Sequence, residues 1–338
     1  METPHVQVII NQQPFEFPGD ALDVPTLLAS RGISDQAVAL AVNGQVVPKR
    51  KWSGVTFANG DRVDLVKVVA GGAWDDDPLV IAGQTFSSRL FMGTGRFQSP
   101  ALLRAALEAS GTEIVTVAIR MTGVDGSGPD AGILSALDRG RCQLLPNTAG
   151  ATSVRQAVFM AELAREALDT NWVKLEVIGD ERTLWPDVAG TVEATRILVR
   201  EGFVVLPYTT TDLVTALRLE EAGAATVMPL GSMIGSGQGV QDWEGIRRIA
   251  ERVNVPVVVD AGIGTPSDAV RSMEAGADAC LINTAVSRSD NPSLMAAAMR
   301  MAVTSGRLGY RAGRMPRSEV AIPSSPITGL VAAAPSLV

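Results

Sequence analysis

Histidine is almost missing from this chain: among 338 residues it occurs once, as His5. That scarcity removes Ser-His-Asp triads, histidine-ligated metals and imidazole acid–base catalysis. Any chemistry falls to lysine, carboxylates, hydroxyls or the backbone. Cysteine is nearly as rare. Cys142 and Cys280 cannot build a disulfide framework, and both fall in apolar strand-like runs, as reduced core thiols of a cytoplasmic protein do. No Lys/Arg tract is present, and 29 basic against 36 acidic residues give a net charge of -7. That balance speaks against nonspecific binding to nucleic acid or an anionic membrane, while a few local donors still suffice for a small anionic substrate. METPHVQVII has no basic start leading into a long apolar stretch, so no secretory signal is expected. No run approaches the roughly 18 apolar residues of a membrane helix. What the chain does have is apolar bulk, 46% of its residues, enough for a large core and too much for a disordered chain.

Length points to roughly two domains, and composition places the boundary. Residues 1–72 read as a small mixed domain. VQVII and QQPFEF form a hairpin, Asp23 precedes the short helix VPTLLASRG, and AVALAVNGQVVP makes two strands around the Asn43-Gly44 turn. Asn59-Gly60 turns the chain into a last strand, DRVDLVKVV. The order β-β-α-β-β with a terminal strand is that of a β-grasp (ubiquitin-like) fold. Gly71-Gly72 follows, then an acidic linker over 73–78 containing AWDDDP. Gly71-Gly72 reads either as a flexible hinge or as a carrier tail.

Residues 79–338 alternate short apolar strands with amphipathic helices. Eight strands are expected: RLFM (89–92), IVTVA (114–118), QLLP (143–146), WVKLEV (172–177), VVLPY (204–208), ATVM (225–228), VPVVVD (255–260) and ACLIN (279–283). Continuous Val/Ile/Leu strands between helices indicate a parallel sheet covered on both faces. Eight such units in about 250 residues match a closed (β/α)8 TIM barrel. No GxGxxG follows the first strand, which disfavours the open doubly wound alternative.

In such a barrel the carboxyl ends of the strands and the loops after them build the active site. Strand four is the unusual one. Period two puts Val173, Leu175 and Val177 on the helix-facing side, and Trp172, Lys174 and Glu176 inside. A charged pair inside the barrel is expensive unless paired or functional. It reads as a structural ion pair, or as an amine nucleophile with a proton shuttle: burial lowers a lysine's pKa and frees neutral amine to form a Schiff base, with Glu176 moving protons. Asp260, at the end of VPVVVD, is a turn residue or a second carboxylate facing Lys174. The loops Gly231-Ser232-Met233-Ile234-Gly235-Ser236-Gly237, Ala261-Gly262-Ile263-Gly264-Thr265 and Asn283-Thr284-Ala285 follow strands six to eight. Barrels often bind phosphate there, through backbone N–H groups.

WVKLEVIGD, EGFVVLPY, VMPLGSMIGSGQG, VPVVVDAGIGTPSDA and INTAV, with LLPNTAGA and MGTGRF, resemble the thiazole synthase (ThiG) family in order across 78–325. The β-grasp order and the Gly-Gly tail resemble the sulfur carrier ThiS. The resemblance implies condensation of 1-deoxy-D-xylulose 5-phosphate, dehydroglycine and sulfur from a carrier thiocarboxylate into the thiazole phosphate carboxylate used for thiamine. By motif, Lys174 forms the imine, and Glu176 and Asp260 transfer protons. Gly235, Ala261, Gly262, Asn283 and Thr284 hold the phosphosugar, and Gly71-Gly72 is the carrier tail. No metal and no organic cofactor are implied. The implied partners are a carrier-activating (adenylating) enzyme and a dehydroglycine-producing enzyme, with a homo-oligomer, tetramer or dimer, as the assembly.

Three positions depart from the family pattern. A carrier ends at its Gly-Gly, whereas Gly72 is here followed by Ala73, so a thiocarboxylate requires a cut after Gly72 or a separate donor. Arg120-Met121 stands where adjacent basic residues are usual, and Thr209 where a Cys is common. Two other readings share the same motifs: a related sulfur-inserting synthase acting on another phosphosugar, and an inactive scaffold that docks carriers. Retention of Lys174, Glu176 and Asp260 argues against the scaffold.

Overall fold

The computed structural model describes residues 5–11, 13–19, 21–31, 38–67, 77–118 and 137–324. The chain divides into two compact units, Met1–Asp77 and Pro78–Val338. Gly71, Gly72, most of the linker, Arg120-Met121 and the glycine-rich stretch after it lie outside the described residues.

Strict alternation in HVQVII buries Val6, Val8 and Ile10 on one face of the first strand, His5–Ile10. It pairs antiparallel with Gln13–Pro18 and parallel with Arg62–Lys67. Val38–Val42 and Gln45–Val47 complete a five-stranded sheet with that parallel pair inside it. Asn43 and Gly44 both take positive φ, 52° and 80°, the backbone that a two-residue hairpin with native twist needs. The helix Val24–Ser30 starts at Asp23, whose carboxylate accepts from Thr26 N at 2.8 Å, and lays Val24, Leu27 and Leu28 on the sheet. This is the expected β-grasp.

The second unit is the expected barrel. Its strands are β1 (Leu90–Gly93), β2 (Ile114–Ala118), β3 (Gln143–Asn147), β4 (Trp172–Leu175), β5 (Val204–Thr209), β6 (Met228–Pro229), β7 (Val258–Asp260) and β8 (Ala279–Ile282). All pair in parallel, in the order β6-β5-β4-β3-β2-β1-β8-β7. Bridges Val227↔Val257 and Leu230↔Asp260 join β6 back to β7, closing the sheet on itself. Amphipathic helices flank the strands, among them α1 (Pro100–Ser110), α2 (Val154–Leu168), α3 (Val188–Arg200) and α4 (Leu213–Glu221). Side chains of Ser99, Ser153, Asp187 and Asp212 cap their first turns, as those residue types do.

Every barrel strand sends an apolar side chain into one interior layer: Phe91, Ile114, Leu145, Trp172, Leu206, Met228, Val258 and Leu281. A short hairpin before the barrel, Leu79–Ile81 with Gln84–Phe86, packs Leu79, Ile81 and Phe86 onto the same layer. Phe86 meets Trp172 edge to face, centroids 5.8 Å apart. Such a contact contributes about 0.5–1.5 kcal/mol beyond its area. The amino-terminal end of the barrel is therefore plugged, and its polar interior lies at the carboxyl ends of the strands. Among the described residues, no helix is long and apolar enough to cross a membrane.

Candidate active site

Strand β4 behaves as its alternation predicts. Val173, Leu175 and Val177 enter the cluster shared with α2 and α3, while Trp172 joins the interior layer. Lys174, one step above Trp172 on the inner face, is 5% exposed, Glu176 4% and Asp260 3%. Lys174 Nζ stands 2.6 Å from Asp260 Oδ2 and 3.1 Å from Glu176 Oε1. Strands β4 and β7 thus converge three charged side chains in the barrel interior. The sequence expectation that they meet is met.

The expectation about the lysine's proton is not. Burial does pull the ammonium pKa down, but the charges and hydrogen bonds of Asp260 and Glu176 outweigh it, and the net shift is upward. Two anions against one cation hold the resting amine as ammonium. Burial alone therefore does not free the amine.

Hydrogen bonds fix the backbone at both acidic residues. Glu176 lies just past the end of β4, where Thr148 Oγ1 accepts from Glu176 N and donates to Glu176 O, each at 2.8 Å. Gly231 N donates to Asp260 O at 2.9 Å, tying the end of β7 to the loop after β6. Tyr208, inward on β5 and fully buried, places its ring centroid 5.7 Å from Lys174 Nζ and donates its hydroxyl to Leu184 O at 3.3 Å. Burial, with Asp260 and Glu176 nearby, pushes this phenol far above its usual range and keeps it neutral. Thr209 follows on the alternate face of β5, its buried hydroxyl without a hydrogen-bond partner among the described residues.

The three loops singled out for phosphate binding share one rim. Ala261 (φ 65°), Gly262 (φ 76°) and Gly235 (φ 73°) all take left-handed backbone. A side chain at Gly262 would run into Ser232, which is how tightly the loop after β7 lies on the loop after β6. Gly239 N donates to Gly262 O at 2.8 Å across the same seam. Thr284 Oγ1 lies 3.8 Å from where a Gly235 Cβ would stand, so the loop after β8 joins them. Asn283 packs against Gly93, where any side chain would collide with it, and donates to Gly95 O at 3.2 Å. The glycines of MGTGRF thus seat the asparagine of INTAV where β1 and β8 pair, a fit that neither motif reveals alone. Tyr208 and Asn147 were not singled out from sequence. Both lie on the inward face of strands already recognised, and counting by two from Leu206 and Leu145 finds them.

Cys280 is buried in the core, its thiol pushed up to about 12 by burial, and Cys142 is partly buried just before β3. Neither faces the lysine's layer, and both are free thiols. Among the described residues no three His, Cys, Asp or Glu side chains gather to hold a metal.

Comparison with known proteins matches residues 80–326 to the family described as thiazole biosynthesis protein ThiG, and residues 8–72 to the ThiS family. A thiazole synthase of Methylobacterium sp. (strain 4-46) is 56% identical over 256 residues, 76% of this chain and 95% of that protein. One from Paramagnetospirillum magneticum is 42% identical over 327 residues, 96% of this chain and all of the relative, so the match runs through both units. Among solved structures, the Amycolatopsis orientalis BexX/CysO complex is 36% identical with a TM-score of 0.66. It covers 72% of this chain and 100% of its own.

Proposed function

The chain belongs to the ThiG family of thiazole synthases, carries a ThiS-family domain in front of it, and acts in thiamine biosynthesis; on that premise we propose how its own residues perform the reaction. Lys174 captures the ketone of 1-deoxy-D-xylulose 5-phosphate. The observation that carries this is the position of Nζ, 2.6 Å from Asp260 and 3.1 Å from Glu176 above a sealed apolar floor. As the sugar enters, Asp260 takes one ammonium proton. The amine lone pair adds to the carbonyl carbon, and the carbonyl oxygen leaves as water once protonated. The product iminium carries the same single positive charge as the ammonium did, so the two carboxylates stabilise both ends of the step.

The neighbouring C–H of the iminium is acidified by that charge. Glu176 and Asp260 are the bases within reach for the proton transfers that move the carbonyl along the chain and admit sulfur and dehydroglycine. Gly235, Ala261, Gly262, Asn283 and Thr284 hold the phosphate at the rim, where left-handed backbone and absent side chains let N–H groups close on an anion. No step in this account calls on a metal or an organic cofactor.

Sulfur arrives as a carrier thiocarboxylate. We place Gly71-Gly72 as the carrier tail, made competent by a cut after Gly72 and by an adenylating enzyme, with dehydroglycine supplied by a separate enzyme. The setting is cytoplasmic, with the synthase as a homo-oligomer. Purified chain given the sugar phosphate, dehydroglycine and a thiocarboxylated carrier is expected to yield the thiazole phosphate carboxylate by mass spectrometry. Lys174→Ala is expected to yield none. Product from the alanine variant would overturn the role of Lys174.

A further inference from the structure

Asn147 closes β3 and is the register partner of Lys174 on β4. It points inward, two residues beyond Leu145 of the interior layer. Neighbouring strands lie about 4.8 Å apart, so the register sets its side chain beside that of Lys174 on the inner face. The backbone after it is pinned: Thr148 N donates to Lys174 O at 3.1 Å, and Thr148 Oγ1 holds both backbone groups of Glu176. Yet Asn147 Oδ1 is buried without a hydrogen-bond partner among the described residues. A buried carbonyl left unpaired costs free energy unless a ligand supplies the donor.

We propose that Asn147 binds the sugar hydroxyl on the carbon next to the carbonyl that Lys174 captures. The inference rests on the lysine-imine reading above. Nζ marks the position of the carbonyl carbon, and the next carbon is the one within reach of an amide one strand away. Oδ1 accepts a hydrogen bond from the hydroxyl, which orients that carbon so that its C–H faces the carboxylates. Asn147 is in this sense a specificity-determining residue, separate from the phosphate rim and from the proton carriers.

Borohydride trapping read by intact mass tests it, using the full chain with 1-deoxy-D-xylulose 5-phosphate and with its 3-deoxy analogue at equal subsaturating concentrations. Wild type is expected to trap the hydroxylated sugar about 10-fold faster, the worth of one buried hydrogen bond. Asn147→Ala is expected to trap both at the analogue's rate. Asn147→Leu, close in size, is expected to do the same and guards against a cavity effect. A wild-type preference retained in either folded variant overturns the role of Asn147 while leaving the lysine intact. No adduct with either sugar in wild type overturns the lysine reading and this inference with it.

Discussion

Lys174 Nζ and Asp260 Oδ2 meet at 2.6 Å from opposite parts of the barrel wall, both nearly excluded from solvent. Glu176 adds a second anion at 3.1 Å. One cation thus sits between two carboxylates, and in the mechanism proposed above the chemistry turns on moving a single proton among them.

Removing Asp260 leaves a one-to-one pair of Lys174 with Glu176. Asp260→Asn is expected to fold and to form the trapped imine, because the largest charge holding the ammonium is gone. Turnover is expected to fall by about 10²-fold or more, the usual worth of a positioned proton carrier. Steady-state product formation alongside adduct mass checks this. Unimpaired turnover would remove Asp260 from the mechanism.

Removing Lys174 instead leaves two carboxylates facing each other in a dry interior. Breaking a buried pair in this way typically costs about 3–5 kcal/mol. Lys174→Ala is thus expected to fold with a denaturant midpoint well below that of wild type at pH 7. A midpoint equal to wild type would contradict a buried pair at this position.

The wild-type lysine carries its own pH dependence. Its folded pKa is raised, so its contribution to stability is fully present below the unfolded lysine value and is lost only as pH climbs through the folded one. No loss of stability from this group is expected between pH 6 and 9.

Gly262 and Gly83 have nearly the same backbone, φ 76° and 78°, but differ in surroundings. A Cβ at Gly83 meets open space, whereas at Gly262 it strikes Ser232. Gly83→Ala is expected to cost about 1 kcal/mol, and Gly262→Ala several-fold more, with loss of sugar phosphate affinity. Denaturant titrations of the two variants, with equilibrium binding of the phosphosugar, separate strain from collision.

If the fused carrier is live, a fragment ending at Gly72 exists in cells making thiamine, since Ala73 otherwise occupies the carboxyl that sulfur must enter. Mass spectrometry of protein from the native host is expected to find it. Only uncut chain under those conditions would assign sulfur delivery to a separate donor.

Much of this was legible in the residues. Eight apolar runs gave the barrel strands, Asn43-Gly44 the hairpin, and the alternation of WVKLEV the inward lysine. What the sequence withheld lies between strands. Asn283 against Gly93 joins the first and last strands of the barrel, and Tyr208 and Asn147 reach the lysine's layer from the strands on either side of β4; local periodicity carries no record of these pairings. The lysine's proton shows the same limit. Burial is readable from pattern, but the sign of the shift depends on two carboxylates arriving within 3.1 Å, and only the closed sheet brings them there.

The most direct test of the central claim is the intact mass of the wild-type chain after borohydride reduction with 1-deoxy-D-xylulose 5-phosphate. The account predicts one sugar adduct per chain, mapped to the peptide bearing Lys174 and missing from Lys174→Ala. An unmodified chain, or an adduct mapped to any other lysine, would contradict it.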